Sequence, residues 1–276
     1  MTVPTACVIG WPVSHSRSPI IHRYWLRTLG IDGDYVAHAV PPERIEAFLA
    51  SFAESGFIGG NVTVPHKEAA FAAAHECDPV ASALGAVNTI WLDGGRLLGS
   101  NTDAHGFLAN LDDGAPGWSE RGGKAVVLGA GGAARAVVWA LRQRGFDVVI
   151  VNRTRERAED LARRFVRVGV DDWTALPRQL ANAAILVNTT SLGMTGQPPL
   201  ELDLASLPDH AVVNDVVYVP IETPFLAAAR ARGLAAVDGL GMLLHQAVPG
   251  FERWFGRRPA VTPELRDLVV ADIQAH

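Results

Sequence analysis

The spacing of apolar positions changes repeatedly along the first hundred residues. Ala6-Cys7-Val8-Ile9 is a short unbroken apolar run closed by Gly10-Trp11-Pro12, the pattern of a buried strand. Residues 19–29 keep helical spacing, with Ser18 as the expected N-cap and Pro19 at the first helical position. Residues 35–40 read as a second strand, 42–54 as a helix and 60–64 as a third strand. A helix starting near His66 follows, then two short strands at 87–92 and 96–100. This alternation predicts a mostly parallel sheet covered by helices, an α/β fold.

Asp112-Asp113-Gly114-Ala115-Pro116-Gly117 is the densest cluster of turn formers and predicts a loop. After Gly122-Gly123 the strongest strand begins, residues 125–128, and further strands are expected at 147–151, 184–188, 211–214 and 235–237. Residues 240–254 form an apolar helical stretch. Two α/β domains are therefore expected, with a boundary between Thr102 and Gly123.

Composition narrows the setting. Of 276 residues, 49% are hydrophobic and 19% charged, as in ordinary globular proteins. The net charge is −5 and no Lys/Arg run exceeds two residues, which argues against a nucleic-acid or anionic-membrane partner. The first six residues lack the basic and apolar regions of a signal peptide, and no apolar run approaches the ~20 residues of a membrane span. Cys7 and Cys77 alone make no disulfide framework, so a cytoplasmic location is expected.

Strand 125–128 runs straight into Gly129-Ala130-Gly131-Gly132-Ala133-Ala134 and then a helical stretch. This is the dinucleotide fingerprint in its required strand–turn–helix context. Gly129 permits the turn, Gly131 and Gly132 let backbone approach a pyrophosphate, and Ala134 lets helix pack on strand. The helix N-terminus offers free N–H groups to the phosphates. An acidic residue at the end of the next strand would select NAD through the ribose 2′-OH. The chain instead has Asn152-Arg153-Thr154, with Arg157 one turn further on. Guanidiniums and a hydroxyl suit a 2′-phosphate, so NADP is the expected cofactor, while Arg155 reads as a solvated surface charge.

Four polar clusters sit where strands end: Ser14-His15-Ser16-Arg17-Ser18, Asn61-Val62-Thr63-Val64-Pro65-His66-Lys67, Gly85-Ala86-Val87-Asn88-Thr89 and Gly99-Ser100-Asn101-Thr102-Asp103. Taken singly, Ser18 reads as a helix cap, Lys67 as a surface lysine and Asp103 as a cap of the next helix. A buried Asn or Asp is costly unless paired or used, however. His15, His66 and His105 have no metal-ligand spacing and read as structural, and no metal is expected.

In order, these clusters, the glycine loop, Asn188-Thr189-Thr190-Ser191-Leu192-Gly193-Met194 and Asp238-Gly239-Leu240-Gly241-Met242 with Gln246 resemble the shikimate dehydrogenase family over nearly the whole chain. The resemblance implies a substrate domain, residues 1–104 completed by 240–276, and a Rossmann-type NADP domain, residues 105–239, with a cleft between them. It implies that Ser16 and Ser18 hold a substrate carboxylate, although Ser14 leaves open which hydroxyls do so. It implies that Thr63, Asn88, Asp103, Tyr218 and Gln246 bind ring hydroxyls or the reacting carbonyl. Lys67 and Asp103 become the catalytic pair. Gly129, Ala130, Gly131, Gly132, Ala133, Asn152, Arg153, Thr154, Arg157, Val216, Gly239 and Met242 line the NADP site.

The implied reaction is reversible, NADPH-dependent reduction of 3-dehydroshikimate to shikimate by a monomer or homodimer. A quinate/shikimate or aminoshikimate dehydrogenase would share these residues. A non-catalytic NADP-binding module would leave Lys67 and Asp103 without a shared reason.

Overall fold

The structure is a computed structural model that describes residues 3–275. The chain divides into two compact units, one running to Thr102 and resuming at Gln246, the other spanning Asp103–His245.

In the first unit the strands are β1 (Thr5–Gly10), β2 (Asp34–Ala39), β3 (Gly59–Val62), β4 (Glu76–Cys77), β5 (Thr89–Asp93) and β6 (Arg96–Ser100). They form one sheet in the order β2-β1-β3-β5-β6-β4. The three strands β2, β1 and β3 are parallel, as the alternating pattern predicts, but β5 runs antiparallel to both β3 and β6. The reversal is local: Gly94 and Gly95 have φ of 56° and 78° and make a two-residue hairpin loop between Asp93 and Arg96. A short apolar run cannot tell strand direction by itself, which is why the mixed sheet was hidden.

Helix α1 (Ser18–Leu29) corrects the expected cap. Arg17 is the N-cap and makes no side-chain capping bond, while Ser18 is buried inside the first turn. The Ser18 N–H donates to Ser16 Oγ at 3.3 Å, while the Ile20 and Ile21 N–H groups that a Ser18 cap would take donate to Arg17 O at 3.1 and 3.2 Å. The expected helix 42–54 is broken: α2 is only Ile45–Ala50, between short 3₁₀ turns Pro42–Arg44 and Phe52–Glu54. Ser51 stops it by donating its hydroxyl back to Ala47 O at 2.9 Å. Helices α3 (Lys67–Ala73) and α4 (Pro79–Leu84, capped by Asp78) complete the face.

The second unit opens with α5 (Asp103–Gly114). The expected loop at 112–117 therefore starts later, because the last helical turn is anchored. Trp118 Nε1 donates to Asp112 at 2.9 Å, and His245 Nε2 meets Asp113 at 2.9 Å. Strands β7 (Lys124–Leu128), β8 (Asp147–Val151), β9 (Val168–Asp171), β10 (Ala183–Asn188), β11 (Val212–Asp215) and β12 (Ala235–Val237) follow. Helices α6 (Gly132–Gln143), α7 (Arg155–Ala162), α8 (Leu176–Leu180) and α9 (Pro224–Ala231) alternate with them. All six strands are parallel in the order β12-β11-β10-β7-β8-β9, the doubly wound arrangement whose crevice opens at the carboxyl end of β7. Val126, Leu128, Val151, Leu186, Val213 and Phe225 fill its core, as unbroken apolar strands covered on both faces should.

Helix α10 (Leu240–Phe255) belongs to the second unit up to His245 and to the first from Gln246, and α11 (Pro263–Ala275) ends the fold. Trp254 of α10 donates to Ile90 O at 3.0 Å and covers Gly59, where an added Cβ would lie 2.1 Å from the indole nitrogen.

Candidate functional site

In the second unit the glycine loop is shaped by close packing on one side and open space on the other. Gly129 has φ of 105°, and a Cβ there would stand 2.7 Å from Thr189 Oγ1. Only glycine fits this turn, which is fixed by the Gly129 N–H donating to Val151 O at 2.9 Å. Around Gly131 and Gly132 a Cβ would meet nothing within 4 Å, so the chain entering α6 has open room beside it. Ala130 and Gly131 line an open cavity of about 250 Å³ together with Arg135, Arg157, Asp160, Leu161 and Arg164. Space beside bare backbone plus three guanidiniums fits a pyrophosphate and a further phosphate.

Arg157, expected at the cofactor, lines this cavity, as do Arg135 and Arg164, which no motif singles out. Residues 157, 160, 161 and 164 have the spacing of one helical face, a signal that could have found Arg164. Arg153 and Thr154 are exposed and do not line the cavity. Asn152 donates its side-chain amide to Thr154 O at 2.7 Å and so braces the turn. Arg155 pairs with Glu159 at 2.8 Å and Asp172 at 3.1 Å on the surface.

Val216 and Tyr218 follow β11. The Val216 N–H donates to Asn188 O at 3.0 Å, and Gly239 packs so tightly on Val216 that a Cβ would lie 2.2 Å from its carbonyl oxygen. Beneath them lies a group the sequence reading overlooked. Asp215, fully buried, accepts from Asn188 Nδ2 at 2.9 Å, the Val217 N–H at 3.0 Å and the Thr223 hydroxyl at 2.8 Å. Burial pushes its carboxyl above the usual range, while these three donors pull it back. Met242 and Ala133 are half-buried at the starts of α10 and α6.

In the first unit, Ser16, Thr63, Lys67, Asn88 and Gln246 come from four separate stretches of chain, Thr63 and Lys67 sharing one. Thr63 is half-buried just past β3 and lies on Gly10, where a Cβ would be 2.5 Å from the threonine methyl. Lys67 opens α3, and its carbonyl accepts from the Val87 N–H at 2.9 Å, which ties it to the Asn88 segment. Asn88 is buried and donates to Thr102 Oγ1 at 3.0 Å and to Gln246 Oε1 at 3.4 Å. Thr102 in turn donates to Gln246 O at 2.8 Å. Asp103, half-buried, follows directly on this pinned threonine as the first residue of α5.

His66 is buried with its Nε2 at 2.7 Å from Val40 O, a packing role, and His15 presents its backbone carbonyl to Arg17. His22 went unnoticed in the sequence. It is fully buried, stacked on Tyr35 at 3.9 Å, and neither ring nitrogen makes a hydrogen bond of normal geometry. Burial lowers its pKa from 6.5 to about 3, with nearby Asn61 opposing the shift in part. Among the described residues no group of three or more His, Cys, Asp or Glu is placed to hold a metal ion. Nor is any described helix long and apolar enough to cross a membrane.

The doubly wound sheet and its glycine turn define a dinucleotide-binding α/β protein. Residues 8–90 match the shikimate dehydrogenase substrate binding domain, 118–194 the shikimate / quinate 5-dehydrogenase domain and 239–263 the shikimate 5′-dehydrogenase C-terminal domain. A shikimate dehydrogenase (NADP(+)) of Azorhizobium caulinodans is 62% identical over 270 residues, 97% of this chain and 96% of that protein. The shikimate 5-dehydrogenase of Thermus thermophilus, solved with NADP(H) and shikimate, superposes with a TM-score of 0.86 at 37% identity, covering 98% of this chain and 99% of that one. The quinate dehydrogenase of Corynebacterium glutamicum, solved with NAD, gives 0.89 at 31% identity with coverage of 98% and 99%. The chain belongs to the shikimate dehydrogenase family.

Proposed function

We infer that this protein catalyses the reversible, NADPH-dependent reduction of 3-dehydroshikimate to shikimate, a step of aromatic amino acid biosynthesis. The observation that carries the reading is the buried Asn88–Thr102–Gln246 cluster in the first unit, on a chain that also has the open glycine turn and arginine cavity. A cofactor-binding module without chemistry has no use for that polar cluster. The quinate and aminoshikimate alternatives are less favoured, because the 62% identical relative is an NADP-dependent shikimate dehydrogenase.

NADPH supplies the hydride, and the protein supplies orientation and a proton. Gly129, Ala130, Gly131, Gly132 and Ala133 would hold the pyrophosphate, with Asn152, Arg153, Thr154 and Arg157 at the 2′-phosphate. Val216, Gly239 and Met242 would line the rest of the NADP site. Ser16 and Ser18 would bind the substrate carboxylate, and Thr63, Asn88, Tyr218 and Gln246 its hydroxyls. Lys67 would stabilise the negative charge growing on the carbonyl oxygen and give up a proton to it, with Asp103 orienting amine and hydroxyl. We assign the substrate role to residues 1–104 completed by 240–276 and the cofactor role to 105–239, with Tyr218 and Met242 as the exceptions to that division. The enzyme works in the cytoplasm as a monomer or homodimer.

The test offers shikimate and quinate, each with NADP⁺ and NAD⁺, and follows the absorbance of the reduced nicotinamide. The expected kcat/KM is highest for shikimate with NADP⁺, by about tenfold or more over each other pair. A preference for quinate with NAD⁺ would replace this reading by the quinate one.

A further inference from the structure

A row of buried side chains leads from the edge strand of the first sheet to Asn88. Tyr35 on β2 is wholly buried, and its hydroxyl donates to Asn61 Oδ1 at 2.7 Å. Asn61 on β3 donates its amide nitrogen to Thr89 Oγ1 and to Asn88 O, both at 3.2 Å. Thr89 donates its hydroxyl to Asn88 Oδ1 at 3.0 Å. Asn61, Asn88, Thr89 and Thr102 are each at most 5% exposed.

The direction of every bond in the row follows from one backbone group. The Thr102 N–H can only donate, and it lies 2.9 Å from the side-chain oxygen of Asn88. That identifies the oxygen and turns the amide nitrogen toward Gln246, with Thr102 Oγ1 between the two ends of the amide, 3.2 Å from the oxygen and 3.0 Å from the nitrogen. Thr89 spends its single proton on the same Asn88 oxygen, so it must accept from Asn61. Asn61 then turns its nitrogen to Thr89 and its oxygen to Tyr35, and the Tyr35 hydroxyl must donate. Burial raises the Tyr35 phenol well above its ordinary pKa, so that proton stays in place at any working pH.

We propose that Tyr35, Asn61 and Thr89 are positioning residues that lock the Asn88 amide with its oxygen inward and its N–H toward the substrate. The amide hydrogen that Asn88 shares with Gln246 Oε1 at 3.4 Å is then the one a ligand meets, and a ligand must present an oxygen lone pair to take that bond over. The proposal rests on the functional reading above. A flipped or loosened Asn88 would present an acceptor and lose the bond, with an unpaired buried group left behind.

The experiment compares Thr89→Val, Thr89→Ser and Tyr35→Phe in steady-state kinetics, with melting temperatures alongside. Thr89→Val keeps the shape and removes the hydroxyl. It should raise the KM for shikimate about tenfold while leaving the KM for NADP⁺ within about twofold. Thr89→Ser restores the hydroxyl and should return both constants to within about twofold of the parent. Tyr35→Phe, further along the row, should raise the shikimate KM about threefold with the same selectivity. A merely structural role would lower the melting temperature without separating the two KM values, and that outcome overturns the proposal. If Thr89→Val fails to fold, the Tyr35→Phe split decides. Failure of the parent enzyme to oxidise shikimate would instead sink the functional reading and, with it, the substrate of this row. Unchanged KM values in active variants would sink the row alone.

Discussion

In the second unit the candidate site is made of backbone and missing side chains: a glycine whose Cβ would strike Thr189, and two glycines with open space beside them. In the first unit it is made of side chains, with amides and hydroxyls from several strands joined below the surface. A backbone site tolerates varied neighbours but no added carbon at one point. A side-chain site depends on partners far away in sequence, because each amide must be told which way to face.

The comparison can be broken most sharply at Lys67. Lys67→Ala should lower kcat by about 10²–10⁴ with KM within a few-fold, as loss of a general acid does. Near-normal turnover would leave the polar cluster as packing alone. Next, Gly129→Ala should cost roughly 2–4 kcal/mol of stability, measured by urea unfolding, from the left-handed backbone and the Thr189 contact. Gly131→Ala, at φ −90° with open space around it, should unfold like the parent yet bind NADP⁺ more weakly. If both alanines behave alike, the backbone description is wrong.

Arg157→Ala should raise the KM for NADPH about 10- to 100-fold and that for NADH far less, as loss of a charge-assisted hydrogen bond would. Arg153→Ala should show the same bias if its exposed guanidinium reaches the cofactor. Equal effects on both cofactors would remove that arginine from the 2′-phosphate site.

The smallest effect concerns His22. Its folded-state pKa of about 3 lies below the ordinary 6.5, so the neutral ring's stability is complete above pH 6.5 and is lost as pH falls toward 3. At pH 5 the loss is about 2 kcal/mol. His22→Phe should flatten the dependence of the urea midpoint on pH across that window. An unchanged slope would show that His22 is not the titrating group.

The same contrast explains what the sequence could reveal. The second unit was legible because each strand is a continuous apolar run and its key turn lies within six consecutive residues, 129–134. Arg135 is not legible in the same way, because it joins Arg157 only once α6 and α7 are in place, whereas Arg164 shares a helical face with Arg157. In the first unit the candidate residues could be gathered only through family resemblance. Tyr35 and Thr89 look like ordinary strand residues, and nothing local says that one must donate and the other accept. Ser18 failed as a cap for a similar reason: the same residue types serve at the cap and one position later.

The path of the chain has a consequence for synthesis. The second unit is inserted into the first, whose missing part is supplied only from Gln246 onward. On the ribosome the nucleotide half is therefore finished while the half begun earlier still waits for the indole that closes over Gly59 and Ile90. A truncated product ending before Trp254 would carry an exposed, incomplete sheet and be prone to clumping, whereas its inserted neighbour could already be fully folded.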